Sequence, residues 1–198
     1  EVSLGSSQTS WHMEKIAETN ITGHRLLNKP VVAYGFSKNL AFVTFGTGDR
    51  ERPLEVDYPY QQNIRNRFYV YIDRPYQATI LQDLNASDGL TQVTSSSAGD
   101  YSFNLDASKG FYIELGGSDN QGEQVVNPSA IVGSSVFFNS FQPVGGPQSI
   151  CANLGSAKSY RVSLFSPDGF LEAEIDGGGI PIPPIVATVE DRKSTRLN

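Results

Sequence analysis

Apolar and polar positions along this chain alternate in short blocks, and nearly every block ends at glycine, proline or an acidic turn. The apolar blocks are rich in valine, isoleucine, phenylalanine and tyrosine, which predicts strands bounded by turns rather than helices. In order they are 30–34 (PVVAY), 40–45 (LAFVTF), 67–73 (RFYVYID) and, after a long polar insertion, 110–115 (GFYIEL). A second series runs through 124–132 around Asn127-Pro128, then 136–141 (VFFNSF), 160–165 (YRVSLF) and 170–175 (FLEAEI). A third opens at Ile180 with IPIPPIVATV.

A proline-containing opening strand, an aromatic strand, a loop and two further strands thus occur twice, with the start of a third copy. A repeated four-stranded antiparallel unit is the signature of a β-propeller blade. The predicted fold is all-β. It is a partial propeller over residues 1–189, with about two quinoprotein-like blades plus the opening strand of another; a sandwich of similar strands is the alternative. Runs such as AFVTF and FYVYI are almost continuously apolar, as strands packed on both faces should be. FLEAEID alternates: Leu171, Ala173 and Ile175 point one way, and Glu172, Glu174 and Asp176 point to water. Ser166-Pro167-Asp168-Gly169 has the residues of a β-turn. The insertion at about 74–109 is expected to have a middle too polar to pack, a functional or disordered loop. Residues before Asn28 are polar, and WHMEKIAE (11–18) is a short-helix candidate.

Composition narrows the function classes. A hydrophobic share of 38% supports a packed core, while a net charge of −6 and a pI near 4.9 argue against nucleic acid as partner. No apolar run approaches the ~20 residues of a membrane helix, so no transmembrane segment is expected. Cys151 is the single cysteine, either a buried thiol or half of a disulfide with a partner elsewhere. The chain begins at Glu1 and is read as an internal piece of a longer protein. Residues 190–198, ending DRKSTRLN, resemble translated adaptor sequence and are set aside as a non-native tail.

Candidate chemistry is sparse. Gly46-Thr47-Gly48-Asp49 has no third glycine and no helix after it, so it reads as a turn rather than a dinucleotide loop. Asp83, Asn85 and Asp88 alternate like calcium-loop ligands. Gly89 falls one position late, however, and Thr94 stands where a bidentate Glu belongs, so a solvated turn is preferred. Glu172, Glu174 and Asp176 share one environment, whereas acid–base catalysis needs carboxylates in unlike ones. They read as edge charges against aggregation. His12 and His24 lack metal-ligand spacing. Asn20-Ile21-Thr22 and Asn85-Ala86-Ser87 match the glycosylation pattern, which arises often by chance. Asp49, Arg50, Arg52, Asn66 and Arg67 flank the two central strands, as contacts pinning blade loops or, alternatively, as a ligand-facing rim. No catalytic residue and no cofactor is expected in this piece.

Several stretches resemble the C-terminal propeller of the PilY-type proteins, which assemble and cap type IV pili. FGTGDRERP and NRFYVYIDR resemble that family's strand, glycine turn and following strand, and the residues carrying this are Gly46, Thr47, Gly48, Asp49, Arg50, Asn66, Arg67, Phe68 and Tyr69. KGFYIELGGSDNQGEQVVNPSAIVGSSVFFNSFQP, CANLGSAKSYRVSLFSPDG and GGGIPIPPIVATV resemble later segments in order, so the likeness spans most of 26–189. It implies a secreted or periplasmic to outer-surface, pilus-associated, non-enzymatic protein acting in pilus assembly, adhesion and twitching motility. Pilin-like subunits are the implied partners, with host or abiotic surfaces contacted through regions outside this piece. The family often carries an Asp-rich calcium loop, so calcium belongs to the expectation for the full-length protein; the segment near Asp83 does not match that loop. The alternatives are a quinoprotein-like dehydrogenase propeller and a generic protein- or carbohydrate-binding propeller. Dehydrogenase blades favour recurrent tryptophan, and Trp11 is the single one here.

Overall fold

The computed structural model describes residues 2–3, 12–35, 39–54, 64–75, 77, 81–95, 103–116, 122–143, 154–166 and 169–187. Trp11, Cys151 and the Pro167-Asp168 pair lie outside this set, as does the tail from 188 onward. The described residues form strands and connecting segments and include no helix.

Two short pairs occupy the N-terminal part. Strand β1 (Val2–Ser3) pairs antiparallel with β2 (His12–Met13), and β3 (Ala17–Glu18) pairs parallel with β7 (Gln82–Asp83) from the insertion. The helix expected over 11–18 is therefore not formed. Its apolar residues Ile16 and Ala17 gain more by packing flat on a sheet than an isolated short helix could return.

The first large sheet contains β4 (Val31–Gly35), β5 (Leu40–Gly46), β6 (Arg67–Asp73) and β9 (Gly110–Glu114) as antiparallel neighbours in that order. A fifth strand, β8 (Thr91–Gln92), joins β9 in parallel. The insertion is thus not unpacked throughout: it contributes β7 and β8 and buries Leu84, Leu90 and Val93, three apolar residues spaced among its polar ones. The second sheet comprises β12 (Ser135–Gln142), β13 (Ser156–Ser163) and β14 (Phe170–Ile175). Its opening strand is split into β10 (Gln124–Val125) and β11 (Ala130–Val132), both paired with β12. The gap spans 126–129 around Asn127-Pro128, where proline has no N–H to give the ladder. Strand β13 begins earlier than the apolar pattern predicts, because Ser156–Ser159 continue the ladder against β12 despite their polarity. Neither sheet closes on itself.

The two sheets pack face to face. Side chains at alternate positions of β5, β6 and β9 (Phe42, Phe68, Val70, Phe111, Ile113) meet Val125, Val136, Phe138, Tyr160 and Val162 in one buried cluster. Phe68 stacks on Phe138 at 3.8 Å between ring centroids, and Phe138 on Tyr160 at 4.7 Å. Each such ring, fully buried, stabilises by about 1.5–3 kcal/mol, so this column ties the sheets together. The opposite face of the first sheet carries a second cluster, Tyr69 and Tyr71 under Leu84 and Leu90 with Ile16, Ala17, Val43, Phe45 and Tyr112 at its margin. Strands β5 and β6 are therefore packed on both faces, as their continuous apolar runs predict.

In β14 the alternation is present, but the expected burial is not. Leu171 is 68% exposed and Ala173 is exposed, with Ile175 half-buried, because little among the described residues lies across that side of the sheet. Of the opening strand expected over 180–189, residues 182–187 lie against this side without strand pairing among the described residues, and 188–189 lie outside them.

Candidate functional site

The densest polar network lies at one end of the seam between the sheets, where the turn after β5 meets the opening strand of the second sheet. Glycine permits that meeting. A Cβ on Gly46 would sit 2.5 Å from the Val125 side chain, and one on Gly48 would sit 2.3 Å from the Val125 carbonyl oxygen. The glycines of the GTG turn thus give close approach to a neighbouring strand rather than to a phosphate.

Between them Thr47 is fully buried. Its N–H donates to the Arg67 carbonyl (2.9 Å), its hydroxyl to Asn66 Oδ1 (2.9 Å), and its carbonyl accepts from the Val125 N–H (3.0 Å). Asn66 Nδ2 crosses the seam to the Glu123 carbonyl (3.0 Å). The Asp49 N–H donates to Gln124 Oε1 (2.6 Å), while Gln124 Nε2 donates to the Arg52 carbonyl (3.2 Å). Asp49, only 4% exposed, is held by Arg25, with Arg52 further away at 3.9 Å. Arg50 Nη1 donates to Asn127 Oδ1 (2.6 Å). Asn127 in turn donates to the Pro181 carbonyl (2.6 Å), and Asn139 to that of Ile182 (2.8 Å). Side-chain amides therefore carry the carbonyls of the next segment at both steps along the chain.

Deeper in the seam Glu123 is fully buried. Its Oε1 accepts from the Tyr160 hydroxyl (2.6 Å) and from the Ser140 hydroxyl, and Lys158 Nζ lies 3.8 Å from Oε2. Burial, reinforced by the Glu123 carboxylate, pushes the Tyr160 phenol far above its usual range. Lys158 also reaches Glu172 (3.5 Å), at the edge of a cleft of about 450 Å³ whose lining includes Arg65, Glu114, Lys158, Tyr160 and Glu172. Arg65 and Arg67 both engage Glu114, at 3.4 and 3.0 Å.

Of the residues that carry the family resemblance, Gly46, Thr47, Gly48, Asp49, Arg50 and Asn66 come together in this network, and Phe68 lies in the core beside it. Arg67 and Tyr69 turn to the other face, where both donate to Asn85 Oδ1, at 2.9 and 3.0 Å. Burial pushes the Tyr69 phenol up to about 12. The oxygens of the Asp83–Asp88 loop do not converge on one point. Asp83 accepts from Asn20 Nδ2 and from its own loop, Asn85 faces inward, and exposed Asp88 pairs with Lys109, whose hydrogen bond lowers its pKa. Among the described residues no group of three His, Asp, Glu or Cys is placed to hold a metal ion. Sequence reasoning passed over Glu123, Gln124, Ser140, Lys158 and Tyr160. The available signal was an acid and an amide set directly before the apolar pair Val125-Val126, where a strand end would otherwise be apolar.

Fold and seam together define an all-β protein in which antiparallel sheets stack face to face and are stitched by buried polar side chains. No family model matches the chain, and no curated protein matches it. Among solved structures it is similar to the C-terminal domain of Pseudomonas aeruginosa PilY1, at 15% identity and a TM-score of 0.48, covering 74% of this chain and 32% of that one. The chain spans about a third of the length of that solved domain.

Proposed function

We propose that this chain is a non-enzymatic interaction module of the type IV pilus machinery, built of propeller-type blades, acting at the cell surface with pilin-like subunits as partners. The observation that carries this reading is the ordered sequence resemblance across 26–189, anchored on GTGDRERP and NRFYVYID. The chemistry of the seam suits a scaffold. Asp49 and Glu123 are engaged by arginine, hydroxyl and lysine groups, which spends their charge on joining sheets.

The test is genetic and biochemical. Excising the segment encoding 26–189 in the source bacterium is expected to abolish surface pili and twitching, and the purified chain is expected to bind pilin-like subunits. Normal piliation and motility in the excised strain would overturn the proposal. So would alcohol oxidation by the protein supplied with a quinone and calcium, which would make it a dehydrogenase.

A further inference from the structure

We propose that the open edge of β14 is a docking site for an extended partner segment that alternates basic and apolar residues and adds to the second sheet as a further strand. The inference rests on the geometry of that edge and holds whether or not the partner is a pilin-like subunit.

Strand β14 ends the second sheet, with β13 on one side and no strand on the other among the described residues. At six residues it is the longest unbroken edge strand among them. Strand β4 has five residues, β8 has two, and the opposite edge of the second sheet is split around Pro128. Alternate N–H and C=O groups of an edge strand point away from its neighbour and can pair with another chain.

The two faces of this edge differ. Residues directly opposite each other on neighbouring strands share a face. Glu172 stands opposite Tyr160 and Glu174 opposite Lys158, so both carboxylates are on the seam side. Leu171 stands opposite Arg161 and Ala173 opposite Ser159, and both point outward, exposed. Lys158 is shared between Glu123 at 3.8 Å and Glu172 at 3.5 Å. Glu174 and Asp176 are exposed and form no ion pair with a described residue, so the seam-side row stays negative. An added strand therefore meets an acidic row on one face and an apolar row on the other. Lysine or arginine at alternate positions pairs with the first row, and aliphatic side chains between them cover Leu171 and Ala173.

The same charges argue against a second copy of the chain as the occupant. A two-fold antiparallel pairing that keeps the seam faces together sets acid against acid, with Glu172 facing Glu174 when centred on Ala173. One that turns a copy over sets its carboxylates on the apolar row. Like charges directly opposite each other destabilise a strand pair, and the basic partner escapes both arrangements.

Amide exchange and binding titration on the dilute whole chain test this, with a short synthetic peptide alternating lysine and valine as the probe. Binding is expected to protect alternate amides within 170–175. Saturation without that protection, or no binding at all, overturns the proposal. N-methylating either all the lysines or all the valines of the peptide removes the donors along one edge, and at least one of these changes should abolish binding. Tolerance of both overturns strand addition. A peptide alternating glutamate and valine is expected to bind about tenfold more weakly or worse, and the double variant Glu174→Lys, Asp176→Lys should reverse that preference. Equal binding of the two peptides to the native chain overturns the proposal, and that comparison decides even if the variant fails to fold. Protection at 170–175 that appears without peptide and grows with protein concentration would make the occupant a second copy, which also overturns it.

Discussion

The outer face of the first sheet and the outer face of the second are built from similar strands, yet they end in opposite states. On the first, Tyr69 and Tyr71 are buried beneath Leu84 and Leu90 and flanked by Ile16 and Ala17, none of which belongs to the four-stranded repeat. On the second, Val132 and Leu171 are 45% and 68% exposed, and among the described residues only 182–187 run across part of the face. That strip leaves an apolar crevice of about 500 Å³ beside Phe137 and Ile175. The difference teaches that a strand's burial is decided by what lies across it, as β-propensities measured in different contexts also show. The polar insertion is the cover for the first sheet, and its few apolar residues are what make it one.

The largest effect should come from removing that cover's central contact. Leu84 is 1% exposed, and Leu84→Ala is expected to cost about 2–5 kcal/mol, the range for emptying a packed leucine site. Urea unfolding of the native chain and the variant measures it. A cost under about 1 kcal/mol would mean that the insertion only rests on the sheet, and the two faces would then differ less than they look.

Much of this was legible in the residue pattern, and the gaps have physical causes. Strands β5, β6 and β14 are where the apolar runs predict them, since each run is a continuous or alternating block flanked by polar or turn residues. The repeat of two four-stranded meanders was legible for the same reason. The role of the insertion was not, because Leu84, Leu90 and Val93 are too widely spaced among polar residues to form a periodic signal. Nor was the exposure of Leu171, since alternation says which side of a strand a residue faces and nothing about whether anything lies there. The glycine turn was recognisable as a turn. Its partnership with Val125, some eighty residues later, depends on the packing of two sheets and has no local trace.

A smaller effect should follow from loosening the strip over the open face. Asn127 is 1% exposed and joins Arg50 to the Pro181 carbonyl, so Asn127→Ala strands the carbonyl of buried Pro181, while exposed Arg50 can turn to water. The expected cost is about 1–3 kcal/mol. Limited proteolysis should cut within 181–187 faster in the variant, while cleavage near Leu84 stays unchanged. Equal rates in the strip would show that Asn139, which holds the Ile182 carbonyl, suffices alone.

The smallest effect on stability, and the sharpest test of the contrast, is on the open face itself. Leu171 projects into solvent opposite Arg161 on β13, so Leu171→Ser removes little that is packed. Its expected stability change lies within about ±0.5 kcal/mol, as for ordinary surface positions. Exposed apolar surface of this kind favours association, and uncovered sheet faces and edges make the native chain prone to it. Light scattering of the native chain should therefore show concentration-dependent assemblies that Leu171→Ser weakens, even though its unfolding midpoint hardly moves. A loss of more than about 1 kcal/mol would instead mean that Leu171 is already covered in solution, and the asymmetry between the two faces would have to be abandoned.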